Sequence, residues 1–171
     1  AQLLRRQGDL PGAIALLTSS LPDADLVYAE NHRDLLTLYN NLLVYMSEAN
    51  ALEEMPAVFD RADAIIRRTG QAASMQGLTI RQLRAVRNLK LDQPAPAEQI
   101  MTDVVAKRRA TFGSSAGLAV DLLQLARARF ALGKYAEAQT DYAEAYSMAQ
   151  QYISPTAPPV LVIGAGLAEA Q

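Results

Sequence analysis

The chain has 171 residues, half of them apolar, with 16 Lys and Arg against 18 Asp and Glu, one His, no Cys and no Trp. It reads as a globular chain of roughly one domain, and the absence of cysteine rules out disulfides, Cys-based zinc sites, iron–sulfur ligation and thiol nucleophiles. A formal charge of −2 leaves no footprint for nucleic acid, no run reaches the ~18 apolar residues of a membrane span, and the first residues lack signal-peptide order, so the expectation is a cytoplasmic chain with neither partner.

Residues 1–7 read as the last turns of a helix that stops at Gly8. The run Gly-Asp-Leu-Pro-Gly-Ala-Ile-Ala-Leu-Leu from Gly8 then reads as a turn and a partner helix, with Ala13 and Leu17 on its inner side. Leu35, Leu38, Tyr39, Leu42, Leu43, Met46 and Ala49 follow near the i, i+3, i+4, i+7 spacing of an amphipathic helix. Asn50 ends it, and Leu52, Met55, Phe59 and Ala62 continue on the partner. A third pair spans about 75–111, with Asp92 in the turn and Arg84 near a position where Leu is expected. In the fourth, Leu118, Leu122, Leu125, Ala126 and Leu132 lead to Gly133, and Ala138 and Tyr142 follow. Beyond Thr156-Ala157-Pro158-Pro159 another helix begins.

Gly8, Asn50, Asp92 and Gly133 thus recur at intervals of about 42 residues, a period that signals a repeat architecture. Gly and Asn tolerate the left-handed conformation that closes a helix, and acidic residues or Pro suit the first turn of the next. The predicted fold is all-α, an α-solenoid of antiparallel helix pairs with about nine helices, the end ones incomplete. One repeat domain over 1–171 is expected, in units of about 1–24, 25–70, 74–112, 115–153 and 157–171. Opening without Met and closing mid-pattern, the chain reads as a piece of a longer protein. Cut ends of a repeat stack leave apolar faces for self-association.

The stretch 122–146 is the most specific. Leu122, Leu125, Ala126, Gly133, Tyr135, Ala138, Tyr142 and Ala145 follow the pattern of large apolar, Leu, small, Gly, Tyr, Ala, aromatic and Ala, and the stretch resembles a tetratricopeptide repeat. The period is similar to the longer variant found in kinesin light chains and in repeat regions of bacterial multidomain regulators. Residues 8–21 resemble the second half of a repeat and 38–66 a repeat with substitutions. The unit at 75–111 departs most, its register open by one or two residues. The resemblance covers nearly the whole chain and implies a right-handed superhelix whose first helices line a concave groove.

Three motifs invite other readings. Val-Leu-Val-Ile-Gly-Ala-Gly-Leu-Ala-Glu-Ala, 160–170, imitates the turn of a dinucleotide-binding fold, but its third small position is Glu169 and no room follows for the helix, strand and acid of that site. One repeat after Leu125 and Ala126 come Leu167 and Ala168, so a helix is expected instead. His32-Arg33-Asp34-Leu35 imitates a kinase catalytic loop without the rest of the signature; Asn31 or Asp34 more simply caps the next helix. As the single histidine, His32 supports no His-pair metal site and no triad. Acids such as Glu53, Glu54, Glu137 and Glu144 suit helix starts and solvated faces. No catalytic residue, cofactor or metal site is expected.

Residues 61–109 hold ten Lys and Arg against four Asp and Glu. Within them Arg81, Arg84, Arg87 and Lys90 draw a basic strip along one helix. It reads either as a solvent face whose stems cover apolar neighbours or as a receiver for an acidic peptide or subunit. The groove is expected to include Asn40, Asn41, Val44 and Ser47, then Gln82, Val86 and Leu89, then Val120, Gln124, Arg127 and Phe130. Amide side chains that both donate and accept can hold a peptide backbone without dictating its sequence. The expected function is a non-catalytic module binding a peptide, helix or neighbouring domain, and the alternative is an oligomerisation element of a larger bacterial signalling or transcription regulator.

Overall fold

The computed structural model describes residues 1–27, 33–153 and 158–169. Among them the chain forms helices and no strand: α1 (Gln2–Arg6), α2 (Leu10–Val27), α3 (Arg33–Glu48), α4 (Met55–Thr69), α5 (Met75–Lys90), α6 (Pro94–Phe112), α7 (Ala116–Ala131), α8 (Tyr135–Tyr152) and α9 (Pro158–Glu169). These are the nine expected helices, with α1 five residues long and α9 twelve.

Four turns give the chain its period. Gly8, Asn50, Asp92 and Gly133 all have positive φ, 84°, 57°, 55° and 74°. At each, the next residue's N–H donates to the carbonyl five positions back: Asp9 to Leu4, Ala51 to Met46, Gln93 to Asn88 and Lys134 to Arg129, all at 2.9 Å. This is the Schellman closure, which satisfies carbonyls that a helix end leaves orphaned. Asn50 and Asp92 accept the left-handed region because a short polar side chain lowers its cost. Asp92 therefore settles the register of the third hairpin. Gly70 and Gly113, with φ of 67° and 63°, end α4 and α6. Ser74 and Ser115 start the helices that follow, their hydroxyls accepting from Gly77 N at 3.0 Å and Leu118 N at 3.3 Å.

The chain packs as two compact units, Ala1–Leu83 and Arg84–Gln171, whose boundary falls inside α5. In the first, α3 packs on both α2 and α4, and Leu35, Leu36, Leu42, Leu43, Met55 and Phe59 are buried between them. Arg5 of α1 donates from Nε to Glu48 Oε2 at 2.7 Å and lies over the Tyr45 ring, which holds α1 at the C-terminal end of α3. In the second, α7 packs on α6, α8 and α9. Its contact with α8 is lined by small residues: Ala119 and Ala126 on α7 and Ala138, Ala145 and Ala149 on α8 are all fully buried. Small side chains let two helix axes approach closely, while Leu118 and Leu122 fill the flanking space.

Candidate functional site

The first helix of each hairpin carries the residues singled out for binding. On α3, Asn40, Asn41 and Val44 are half-buried and Ser47 is buried. Asn40 and Asn41, adjacent in sequence, diverge by about 100° around the helix. Asn40 Oδ1 is buried and has no hydrogen-bond partner among the described residues. Asn41 lines a cleft of about 440 Å³ together with Asp34, Thr37 and Leu38 of α3 and Ser20, Asp23 and Ala24 of α2. Gln82, Val86 and Leu89 of α5 are half-buried. Gln82 falls in the first unit and Val86 in the second.

On α7, Val120 is half-buried, Gln124 is 8 % exposed and Arg127 is exposed. Gln124 Oε1 is a buried acceptor with no donor among the described residues. Phe130 is half-buried and meets Tyr135 edge-on, ring centroids 5.2 Å apart. The strip on α5 has Arg81, Arg84 and Arg87 half-buried and Lys90 exposed, with stems along the helix surface.

Sequence reasoning missed the buried charge of the second unit. Arg108 of α6 donates from Nε to Asp121 Oδ2 of α7, with side chains 5 % and 0 % exposed. Burial pushes the Asp121 carboxyl up to about 6 even though Arg108 pulls the other way, and its Oδ1 has no partner among the described residues. The signal was an acid among the apolar positions of α7, one residue before Leu122, with a compensating Arg on the preceding helix. A second network joins α6, α7 and α8. Arg129 Nη1 donates to Asp141 Oδ2 at 2.7 Å, Lys134 Nζ to Glu98 Oε2 at 2.7 Å, and Arg109 Nη2 to Glu144 Oε1 at 2.7 Å. The bond from Lys134 holds the Glu98 carboxyl below its ordinary range, whereas burial pushes Asp141 up against the pull of Arg129.

The glycines of the 160–170 motif have a packing role. Pro158–Glu169 is helical, and Gly164 and Gly166 lie against α8. A Cβ at Gly166 would come within 2.5 Å of Tyr142 Cε1, and one at Gly164 within 3.5 Å of Tyr146 Cε2. A dinucleotide-binding turn needs a strand there, and the described residues form a helix instead. His32 lies outside the described residues; Asp34 is in the first turn of α3. Among the described residues no group of three or more His, Asp or Glu side chains could hold a metal ion, and no helix is long and apolar enough to cross a membrane.

No family model matches the chain, and no curated protein does. Solved structures do. BtubC (BKLC) from P. vanneervenii superposes with a TM-score of 0.81 at 18% identity, covering 99% of this chain and 68% of that one. A kinesin-light-chain-type protein of Podosopora anserina with nearly identical TPR-like repeats superposes at 0.76 and 19% identity, covering 99% and 81%. A single-substitution form of those repeats gives 0.77 and 20%, covering 99% and 80%. The fold is that of tetratricopeptide-like repeats.

Proposed function

We propose that this TPR-like chain is a non-catalytic interaction module that holds a peptide, helix or neighbouring domain against the first helices of its hairpins. Asn40, Asn41, Val44 and Gln82 serve the first unit, and Val86, Gln124, Arg127 and Phe130 the second. The observation that carries this reading is Gln124, a buried amide whose oxygen finds no donor among the described residues. An orphaned buried acceptor costs about 1–3 kcal/mol, and a backbone N–H from a bound segment removes that cost. Arg127 and Phe130, one and two turns along the same helix, add a charge and a ring beside it. The strip from Arg81 to Lys90 favours a partner that is acidic where it meets α5.

Peptide display against the chain tests this. Enriched peptides are expected to lose at least about tenfold in affinity on Gln124→Leu combined with Phe130→Ala, a loss equal to about 1.4 kcal/mol. No enrichment, or equal binding by the variant, would overturn the reading. Arg81→Glu with Arg87→Glu is expected to weaken acidic peptides and to flatten their salt dependence. Self-association is the second reading, resting on the apolar character of α9, and light scattering over a dilution series separates it. A mass independent of concentration removes it.

A further inference from the structure

Two buried acceptor oxygens stand one turn apart on α7. Asp121 is wholly buried and Gln124 is 8 % exposed, and neither Asp121 Oδ1 nor Gln124 Oε1 meets a donor among the described residues. Positions i and i+3 of a helix are neighbours, close enough for a Gln and an Asp side chain to share a hydrogen bond. Arg108 holds the other carboxylate oxygen, Oδ2. Its guanidinium lies over Gly117, one turn before Asp121, where a Cβ would come within 3.2 Å of Nη1. Gln124 lies one turn beyond Asp121 in the opposite direction, so its side is the one left to Oδ1. At about 100° per residue, Gln124 stands between Asp121, about 60° away, and the open stripe of Val120 and Arg127, about 40° and 60° away on its other side.

Two neighbouring acceptors need one hydrogen between them. An ionised carboxylate only accepts, whereas its protonated form carries one O–H donor, so a proton on Oδ1 satisfies both oxygens at once. Burial acts in the same direction and raises the Asp121 carboxyl to about 6. Of the charged groups on the helices that α7 packs against, Arg108 is the one that bears on Asp121. On α6 and α8 the rest pair elsewhere, Glu98 with Lys134, Arg109 with Glu144, Asp141 with Arg129 and Lys107 with Asp103. Glu137 is exposed, and Glu169 of α9 acts on Tyr142. We propose that a proton on Asp121 Oδ1 bonds Gln124 Oε1, and that a segment bound in the α7 groove must displace that proton to reach the same oxygen. Acid therefore closes the site and neutral pH opens it. Binding releases one proton to solvent, and a peptide N–H takes its place on Gln124. The binding half deepens the α7 reading and rests on it, while the proton bond stands without it.

Carbon NMR of the whole chain between about pH 5 and about pH 8 reads the proton bond directly. The Asp121 carboxyl, identified by its loss in Asp121→Asn, and the Gln124 side-chain carbonyl are expected to titrate together. Gln124→Leu should lower the Asp121 midpoint by roughly one pH unit, tenfold in proton affinity, because the protonated form loses its acceptor. A Gln124 carbonyl that ignores the Asp121 titration, or a midpoint unchanged or raised in Gln124→Leu, would overturn the proposal. Affinity for a groove peptide obtained by display reads the competition. It should rise roughly tenfold from about pH 5 to about pH 7.5, the ratio set by one proton leaving a group near pH 6. Asp121→Asn copies the protonated acid, its amide donating to Gln124 at every pH, and should hold the peptide about tenfold more weakly at about pH 7.5. Circular dichroism and the denaturant midpoint check its fold, and Gln124→Leu keeps the test decisive if it unfolds. A flat affinity over that range, or full affinity in folded Asp121→Asn, would overturn the proposal equally. If display enriches no peptide, the α7 reading and the competition fall together, and the shared titration alone decides the proton bond.

Discussion

The seam between α2 and α4 and the seam between α6 and α8 are the same structure built twice with different chemistry. Counting from the left-handed turn residues, Ile14 stands where Glu98 stands, Ala51 where Lys134, Val58 where Asp141 and Arg61 where Glu144. In the second unit those positions pair, and a cleft of about 260 Å³ remains. In the first, Ile14, Ala51 and Val58 are apolar and only Arg61 is charged, and openings of about 360 and 610 Å³ run along α2. Between α2 and α3 the contrast repeats: Ala24 and Leu38 occupy the positions of Arg108 and Asp121. One hairpin geometry therefore tolerates either filling. What differs is whether charged side chains such as Glu98 with Lys134 and Arg108 with Asp121 pair across the helices or apolar residues stand in their places.

Breaking the buried pair is expected to have the largest effect. Arg108→Ala leaves Asp121 buried without its partner and should cost about 3 kcal/mol, measured by denaturant unfolding. Arg108→Ala with Asp121→Leu, which copies the first unit, should recover most of that loss. A double variant no better than the single would show that the two junctions are not interchangeable.

Overpacking the small-residue contact comes next. Ala126→Leu or Ala138→Leu puts a bulky side chain at a fully buried position and should cost about 1–3 kcal/mol. An unchanged denaturant midpoint would break the assigned register. Gly166→Ala, with its methyl directed at the Tyr142 ring, should cost about 1–2 kcal/mol net of the helix propensity gained. Its hydrogen-exchange loss should be confined to α9 and its contact with α8.

The pH dependence separates the two fillings further. Asp121 has a folded carboxyl raised to about 6 against about 3.9 unfolded. The native state therefore holds the proton more tightly, and the associated stability is fully present below about pH 4 and lost as pH rises through about 6. Glu98, lowered by Lys134, contributes with the opposite sign, above its unfolded value, and loses that contribution only at more acidic pH. Between about pH 5 and pH 7 the denaturation midpoint should fall as pH rises, and Arg108→Ala with Asp121→Leu should flatten that slope. A wild-type midpoint flat over the same range would count against the burial of Asp121. The smallest effect belongs to the outer seam. Glu98→Ile with Lys134→Ala, again a copy of the first unit, removes a partly exposed pair, and exposed pairs contribute about 0–1 kcal/mol.

Much of the fold was legible because its signals are local. Gly8, Asn50, Asp92 and Gly133 mark turns through backbone preference alone, and the apolar spacing from Leu35 to Met46 or from Leu118 to Leu125 sets which side of a helix turns inward. The α9 helix was legible by period, against the pull of its glycine motif. The candidate binding residues were legible only as positions on a helix. Gln124 and Arg127, a turn apart, end up buried and exposed respectively, because burial depends on which neighbour a helix face meets. Asp121 was illegible for the same reason, since an acid among leucines is tolerated only once Arg108 arrives from another helix.

Sequence alone determined the hairpins, their period of about 42 residues and the turn at each, since torsional preference and apolar spacing act within a few residues. Tertiary structure decided which equivalent positions become ion pairs and which stay open. Those outcomes depend on side chains that meet across helices, where desolvation and charge are shared by residues distant in the chain.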